Sequence, residues 1–449
     1  MQFAAKRSII PNAVREVSLE EMLRARDERA ERQRELLEKY GLPVLSVTLN
    51  IAGGVKNTPM IRTLFGICMD KVRAAVEHSG GGIVDLEEVF ADTGCEAQMG
   101  VSGISAKRLK AIACGLEERD ETGRLYDIDI IDENGEKLSR PTERKCLICD
   151  NPVKLCARSR RHTAGELFSR TNELIAGELS RIIEAAAYFA LIKEVEATPK
   201  PGLVDLDNNG AHTDMDLELF RQSAAVTAPF FGKMAYAVFT WKDDDAAALM
   251  KTLRRIGMDA EYAMLAATNG VNTHKGLIFS LGLLTAAAAL CIKCGCDFDE
   301  IAPWVKTLVQ SEGSETVSAA TNGSRVYDKY GARGARGEAE GGYENAFLAA
   351  AAIERRLHDG MSENDAHVLS LMELTERMDD SNLLHRGGMD GLRFFKAESA
   401  KINALPESGR IERIRLFDAE AIKRNLSPGG AADMLCAGIF LNRIKNELF

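Results

Sequence analysis

Hydrophobic and polar positions follow two different patterns along the chain. Up to about residue 165, helical and strand-like periods alternate, which is typical of an α+β domain. The pair Ser18-x-x-Glu21 is a capping box that opens a charged helix, and Gly41 ends it. A buried strand is predicted over residues 44–51, helices over 60–78 and 106–118, and an alternating strand over 125–131.

The second pattern is helical throughout. Apolar residues recur at helical spacing over 178–197, 216–239, 244–267, 275–294 and 299–311, without a convincing strand pair. We therefore predict a multi-domain protein with an α+β domain over residues 1–167 and an all-α domain over residues 168–449. The connecting segment has no Pro/Gly/Ser-rich spacer, so we expect a helical or short connector.

Composition narrows the class of protein. With 449 residues, 45% apolar and 28% charged, the chain is typical of soluble globular proteins. A net charge of -10 disfavours a general nucleic-acid or anionic-membrane binder. The apolar run at residues 276–292 is better explained as a buried helix than as a membrane span. Ten cysteines without a secretory signal indicate reduced thiols, so we expect a cytoplasmic protein.

Two groups in the first domain carry candidate chemistry. Asp127 and Asp129 are two residues apart on a predicted strand, so both carboxylates face one side and are suited to hold Mg²⁺ against a triphosphate. The solvent-facing half of an amphipathic strand explains them equally well. The second group consists of Cys146, Cys149, Cys156 and His162. It is a potential Zn²⁺ site, with buried free thiols as the alternative interpretation. Arg158 lies in a basic run beside it.

Polar residues of the second domain concentrate in the breaks between its predicted helices. Asp205, His212 and Asp214 offer Mg²⁺ ligands and a general base, although Asp214 also suits a helix N-cap. Asn272, His274 and Lys275 precede a helix and suit a phosphate, although an isolated histidine in this position is more often a capping or core residue. A further break contains Arg386, which we expect to bind the nucleotide substrates. Residues 427–428 instead favour a helix N-cap with proline at the first helical position.

A glycine-rich stretch at residues 321–345 is the most unusual of these breaks. Its arginines, which are Arg325, Arg333 and Arg336, suit phosphate oxygens, and its carboxylates Glu338 and Glu340 suit a bridging Mg²⁺. A flexible surface loop is the alternative interpretation. Because the stretch mixes clustered Arg and Glu with glycine, composition favours a polyphosphate-handling loop over a simple linker.

The first domain resembles a known family. The sequences LPVLSVTLNIAGGVKNT, GRLYDIDIID and RKCLICDNPVKLCARSRRHTAGEL look like those of apo-citrate lyase phosphoribosyl-dephospho-CoA transferase. The resemblance implies transfer of a phosphoribosyl-dephospho-CoA group to a serine of the citrate lyase acyl-carrier (gamma) subunit, with release of pyrophosphate. It assigns the metal to Asp127 and Asp129, and phosphate contacts to Arg124 and the arginines near His162.

The second domain resembles triphosphoribosyl-dephospho-CoA synthase. The match lies in EVEATPKPGLVDLDNNGAHTDMD, GVNTHKGLIFSLG, TNGSRVYDKYGARGARGEAEGGYENAF, SNLLHRGG and SPGGAADML. It implies that the 2′-hydroxyl of 3′-dephospho-CoA attacks the ribose C1 of ATP and that adenine leaves. Leu206 departs from the family, where we expect Arg, which weakens a phosphate role for this loop.

These resemblances turn the candidate groups into roles. We expect Lys275, Arg325, Arg333 and Arg336 to hold the triphosphate, and His212, Asp205 or Asp214 to act as base. One alternative is a synthase serving malonate decarboxylase, although the first domain favours citrate lyase. Another is a non-catalytic ATP- or CoA-binding regulator with a zinc module, which would bind ATP without releasing adenine.

Overall fold

The first part of the molecule combines a sheet with helices. The computed structural model describes residues 7–11, 14–312, 329–332 and 334–449. The first elements along the chain are α1 (Leu19–Tyr40), β1 (Val44–Leu49), α2 (Pro59–His78), β2 (Gly82–Ala91), β3 (Gly94–Ser102), α3 (Ala106–Glu118), β4 (Tyr126–Ile131), α4 (Val153–Ser159) and α5 (Ala164–Glu196). The predicted helices and strands are all present, and the capping box of Ser18 and Glu21 is formed.

The sheet is antiparallel in the order β2-β3-β1-β4. Val44 of β1 pairs with Gly100 of β3 on one side and with Ile131 of β4 on the other. Strands β2 and β3 were not predicted from the sequence. They form a hairpin whose outer strand is partly exposed along its length, so β2 lacks the apolar alternation that marks a half-buried strand.

The two faces of the sheet differ in chemistry. Apolar side chains of β1 and β4, such as Val47 and Ile128, join α2 and α3 in the hydrophobic core. The opposite face is polar and meets α1, where the Gln33 amide donates to Ser46 Oγ and Gln98 Oε1, both at 3.1 Å. A polar sheet face under a helix leaves room for a cleft lined by charged groups.

The rest of the described chain is helical. The helices are α6 (Leu217–Thr240), α7 (Ala246–Ala267), α8 (Lys275–Cys294), α9 (Ile301–Ser311), α10 (Gly334–Gly341), α11 (Glu344–His358), α12 (Glu363–Arg377), α13 (Ser381–Asn403), α14 (Glu407–Lys423) and α15 (Gly429–Leu448). This confirms an α+β first part and a helical second part.

Helix α8 lies at the centre of the helical part. It is long and apolar enough to cross a membrane, but 89% of its apolar window is buried inside the protein. It packs against α6, α7, α9 and α15. These contacts explain its all-round apolar surface as that of a core helix, as the sequence predicted.

Helix α5 connects the two parts without interruption. It runs for 33 residues, begins at the capping box of Thr163 and Glu166, and crosses the predicted boundary at residue 167. Across the junction, the Lys71 ammonium lies 2.9 Å from Glu178 Oε1, and the Glu178 side chain is 4% exposed. The connector is therefore a helix, while the division of the chain into domains 1–167 and 168–449 stays a prediction.

Candidate active sites

Asp127 and Asp129 lie side by side on the polar face of β4. Their neighbours Tyr126 and Ile128 point into the core, so the two carboxylates share the opposite face. Asp127 pairs with Arg144 at 3.0 Å, and Asp129 pairs with Lys137 at 2.5 Å. The predicted common orientation of the two carboxylates is confirmed, and each has a cationic partner.

A small cleft opens between these carboxylates and α1. Its volume is about 400 Å³, and Arg26, Arg29 and Lys56 contribute positive charge to its walls. Burial lowers the pKa of Lys56, and Arg26 lowers it further. Carboxylates and cations facing each other across a cleft are the arrangement that a metal-bound polyphosphate requires.

A larger cleft of about 1150 Å³ adjoins the small one at Asn50, which lines both. Arg124 and Arg144 lie in its wall, and the Arg124 guanidinium donates to the carbonyl oxygen of Cys146. Arg158, predicted to bind the substrate, is exposed on α4 and does not line this cleft, whereas Arg160 does.

The cysteine and histidine side chains predicted to bind zinc converge beside the larger cleft. The ligand atoms of Cys146, Cys149, Cys156 and His162 all lie within 4.8 Å of one another. Cys149 Sγ is 3.5 Å from Cys156 Sγ and 3.3 Å from His162 Nε2. The spacing of these four residues in sequence is thus matched by proximity in space.

In the helical part, Asp205 holds the loop between α5 and α6. Its side chain is 2% exposed, and it accepts hydrogen bonds from the backbone N–H groups of Lys200, Asp207 and Asn208 at 2.8 to 3.0 Å. The buried Lys200 ammonium donates to Glu194 Oε1 at 2.6 Å. With both carboxylate oxygens committed to backbone amides, Asp205 positions the loop.

His212 is fixed at both ring nitrogens. Arg386 Nη2 donates to its Nδ1 at 3.1 Å, so Nε2 carries the proton and donates to Ser427 Oγ at 2.9 Å. Burial lowers the pKa of His212, and Arg386 lowers it further. The predicted N-cap role of residues 427–428 is wrong: Ser427 binds His212, and Pro428 precedes α15 without a capping side-chain bond.

His274 lies buried at the N-terminus of α8. Thr273 Oγ1 donates to Ser223 Oγ at 2.7 Å, and Ser223 Oγ in turn donates to His274 Nδ1 at 2.6 Å. This relay leaves the proton on Nε2, which is buried and has no partner among the described residues. Burial lowers the pKa of His274 to about 3, with Lys200 lowering it further, so the ring is a neutral donor.

The N-termini of α13 and α15 meet at Asp380, which is 1% exposed. One carboxylate oxygen accepts from the N–H groups of Asn382 and Leu383 at 2.8 and 3.0 Å. The other accepts from the N–H of Ala431 at 2.8 Å. A Cβ on Gly430 would lie 2.9 Å from this carboxylate, so the close approach of the two helices requires glycine there.

Asp433 is half-buried between these elements. Burial raises its pKa well above the usual range, and the nearby Glu194 and Asp380 raise it further. A Cβ on Gly276, in the first turn of α8, would lie 2.9 Å from Asp433 Oδ2. Asp433 has no hydrogen-bond partner among the described residues, so its carboxyl group is available to a ligand.

The glycine-rich stretch is described only in part. Arg325 and Arg333 lie outside the described residues. In α10, Glu338 is half-buried and accepts from the Asn345 amide at 2.7 Å, while Glu340 is exposed and pairs with Arg336 at 3.5 Å. Residues two apart on a helix face different sides, so Glu338 and Glu340 do not share one metal site in this arrangement.

The remaining predicted residues lie near the surface. Asp216, not Asp214, caps α6, and the Asp214 carboxylate is 61% exposed at 3.8 Å from His212. Asn272 Oδ1 accepts from the N–H of Lys275, whose ammonium lies 3.0 Å from Glu261. Asn272 therefore shapes the turn into α8, and Lys275 stands beside the helix N-terminus.

Sequence reasoning missed the carboxylates of Glu194 and Asp433. Glu194 falls inside a regular helix, and Asp433 follows two glycines in what resembles an ordinary helix start. The available signal is compositional, because Asp433 interrupts an otherwise apolar helix that is buried along most of its length.

The chain matches two families in succession. The model of CitX, apo-citrate lyase phosphoribosyl-dephospho-CoA transferase, matches residues 17–177, and that of CitG, ATP:dephospho-CoA triphosphoribosyl transferase, matches residues 180–448. Protein CitXG of Haemophilus influenzae is 34% identical, over 94% of this chain and 96% of that protein. Protein CitXG of Leuconostoc mesenteroides subsp. cremoris is 31% identical, over 96% and 98%.

A relative without the first part is also similar. The 2-(5''-triphosphoribosyl)-3'-dephosphocoenzyme-A synthase of Klebsiella pneumoniae is 38% identical, over 61% of this chain and 93% of that protein. The helical part thus corresponds to a whole protein elsewhere, and the α+β part precedes it here. The chain belongs to the CitXG family, in which a CitX transferase region is fused to a CitG synthase region.

Proposed function

We propose that this chain makes and attaches the prosthetic group of citrate lyase. Its helical part joins the triphosphoribosyl group of ATP to the 2′-hydroxyl of 3′-dephospho-CoA and releases adenine. Its α+β part transfers phosphoribosyl-dephospho-CoA to a serine of the acyl-carrier (gamma) subunit and releases pyrophosphate. The observation that carries this proposal is the succession of the two family matches along one chain.

In the synthase site, we assign proton donation to Asp433. Breaking the bond between ribose and adenine leaves negative charge on the base, which a protonated carboxyl group relieves. Burial and the nearby Glu194 and Asp380 favour the protonated form of Asp433, and the group has no competing hydrogen-bond partner among the described residues. Other enzymes that cleave glycosidic bonds also use carboxyl groups whose surroundings shift their pKa values apart, so that one acts as the acid.

His274 and the start of α8 are assigned to the triphosphate. The neutral ring presents Nε2–H as a donor. The positive end of the helix dipole favours an anion at the same place, although the N–H of Lys275 is already bonded to Asn272. Lys275 adds a positive charge at the same end. His274 keeps the cofactor-binding role expected from its position in the sequence.

We assign the general base for the 2′-hydroxyl to Asp214. His212 has both nitrogens in hydrogen bonds, and Asp205 is committed to backbone amides, so neither has a free site for a proton in this arrangement. The exposed Asp214 carboxylate lies beside His212. His212, Arg386 and Asp205 then serve to position the loop that carries it.

The donor set of the transferase site fits Mg²⁺. Two carboxylates share one strand face, and the hydroxyl-bearing Ser46 and Thr48 are their strand partners on β1, so hard oxygen ligands predominate. When bound, the cation neutralises charge on the triphosphate. In the step itself, a bond forms between the carrier serine oxygen and the ribosyl 5′-phosphorus, and the bond to pyrophosphate breaks. Arg26, Arg29 and Lys56 hold the leaving oxygens.

In the helical part, we keep Glu338 and not Glu340 as a candidate Mg²⁺ ligand. We further propose that the larger cleft receives the long dephospho-CoA arm of the transferase substrate, with Arg124 at a phosphate. A cytoplasmic location is proposed because the ten cysteines of the chain are free thiols, which a reducing compartment maintains.

Product analysis with two matched variants tests the assignment. The chain is incubated with ATP, Mg²⁺ and dephospho-CoA, and free adenine is separated from ADP and AMP. Apo-acyl carrier is then added and pyrophosphate is measured. We expect Asp433→Asn to abolish adenine release and, because the transferase substrate is then not made, pyrophosphate release as well; pyrophosphate release should return when triphosphoribosyl-dephospho-CoA made by the wild-type chain is supplied. Asp127→Asn is expected to abolish pyrophosphate release and leave adenine release unchanged. ADP or AMP as product, or ATP binding without turnover, would refute the proposal; transfer to the malonate decarboxylase carrier instead would refute the citrate lyase assignment.

A further inference from the structure

We propose that Cys146, Cys149, Cys156 and His162 bind one Zn²⁺ ion in a closed, structural site. Three sulfur atoms and one imidazole nitrogen lie within 4.8 Å of one another. In a tetrahedral site with Zn–S bonds of about 2.3 Å, neighbouring sulfurs are about 3.8 Å apart. The separation of 3.5 Å between Cys149 Sγ and Cys156 Sγ therefore needs only a small adjustment.

The local backbone brings the four ligands together. Cys146 and Cys149 flank a tight turn that is closed by the hydrogen bond from Cys146 N to Asn151 O at 2.8 Å and by a bridge between Lys145 and Pro152. Cys156 follows on α4. After it, Arg160 adopts a left-handed conformation with φ 46°, and the chain returns so that His162 faces Cys149.

The chemistry of the cluster favours a metal over a disulfide. A disulfide joins two sulfurs about 2.05 Å apart. It does not account for a third thiol and an imidazole at the same point. The Asn151 amide also donates to Cys149 Sγ at 3.5 Å, which is the outer-shell contact that a thiolate ligand accepts. Three thiolates and one imidazole close to one point are the ligand set that Zn²⁺ prefers among common cellular metals.

The other cysteines provide an internal contrast. Cys291, Cys294 and Cys296 are close together in sequence, yet within the described part of the chain only the first cluster brings four ligand atoms together. Cys114, on α3, is 8% exposed and lies apart from the cluster. It is therefore a matched control for replacing a thiol.

The segment around the cluster has few other means of holding its shape. Most side chains between residues 139 and 163 are exposed or half-buried, so the segment contributes little to the apolar core. It nevertheless forms one wall of the larger cleft and contacts Arg124 through the carbonyl of Cys146. A structural zinc ion supplies the missing folding energy and fixes this wall.

Metal content of the full chain tests the proposal. We expect one zinc per chain by mass spectrometry after purification without chelator, and the same for Cys114→Ser. Cys149→Ser, which removes the thiol closest to two other ligands, is expected to lower the content at least tenfold. Zinc below 0.1 per chain in the wild type, even after dialysis against Zn²⁺, would overturn the proposal, as would full zinc in Cys149→Ser.

Limited trypsin digestion of the wild-type chain gives a second readout that needs no variant. Arg158, Arg160 and Arg161 are exposed cleavage sites within the segment. Removing zinc with a strong chelator is expected to speed cleavage there at least tenfold, and restoring Zn²⁺ to reverse it. The site would be refuted if the chelator did not affect cleavage. It would also be refuted if peptide mapping under non-reducing conditions found a disulfide between Cys149 and Cys156.

Discussion

Removing the Asp380 carboxylate tests how the synthase site is held together. This group caps α13 through one oxygen and binds the N–H of Ala431 in α15 through the other. Asp380→Ala removes both connections at once. The N–H of Ala431 is then left buried, because the helix around it stays packed in the core.

The magnitude follows from two losses and one gain. Loss of an N-cap costs about 1 kcal/mol, within a range of about 0.5 to 2 kcal/mol. Leaving a buried backbone donor without a partner costs about 1 to 3 kcal/mol. Burial raises the pKa of Asp380, so its removal also relieves a desolvation cost. We therefore expect a loss near the lower end of the sum, about 2 kcal/mol.

The neighbouring Asp379→Ala is the matched control. Its side chain is 71% exposed and pairs with Lys396 at 2.8 Å, an interaction worth less than about 1 kcal/mol. Urea unfolding is followed by the fluorescence of Trp241 and Trp304, both in the helical part, so the signal reports on that part. Equal midpoints for the two variants would refute the proposed role of Asp380.

Three further predictions concern the same part of the molecule. If Asp433 donates a proton, the rate of adenine release falls as pH rises through the raised pKa of Asp433, because the protonated form is lost. Asp433→Asn should reduce this rate at least about 100-fold while ATP binding is retained. A wild-type rate that rises over the same pH range would contradict the role. Ser223→Ala removes the donor to His274 Nδ1, so we expect calorimetry to show an ATP affinity about tenfold lower, with little change in melting temperature. An unchanged affinity would argue against the hydrogen-bond chain from Thr273 through Ser223 to His274. Gly202 has a φ of +72°, and a Cβ there would lie 1.9 Å from the Leu426 carbonyl oxygen, so Gly202→Ala should lower the melting temperature strongly. Gly177 lies inside α5 with open space around it, so Gly177→Ala should raise the free energy of unfolding by about 0.5 to 1 kcal/mol.

Local signals predicted most of the fold. The limits of α3 and α8 agree with the sequence prediction, and α2 and β4 agree within one residue, because capping residues and glycine act over a few positions. The hairpin of β2 and β3 was missed because its outer strand is stabilised by pairing and not by a buried face. Pairing depends on a partner strand that a local window does not contain.

The candidate sites divide along the same line. Asp127 and Asp129 were found because strand periodicity alone places them on one face. Asp433 and Glu194 were missed because their unusual property is burial near other carboxylates, which only the packing of distant helices creates. Asp205 was predicted to be a metal ligand because other polar residues are close to it in sequence. In the structure, its carboxylate binds backbone N–H groups of its own loop instead.

The synthase site can be explained by the helices that surround it. The N-termini of α8 and α15 come together at Asp433, and those of α13 and α15 at Asp380. Helix N-termini favour anions, and Asp380 satisfies this preference for two of them by filling their free N–H groups. Asp433 does not, because burial and the neighbouring carboxylates favour its neutral form. The preference for negative charge at α8 therefore remains unsatisfied in the free protein. A triphosphate bound there would satisfy it without competing with Asp433, which keeps its proton for the departing adenine. The same carboxylate crowding that makes this centre costly for folding thus prepares it for both parts of the reaction.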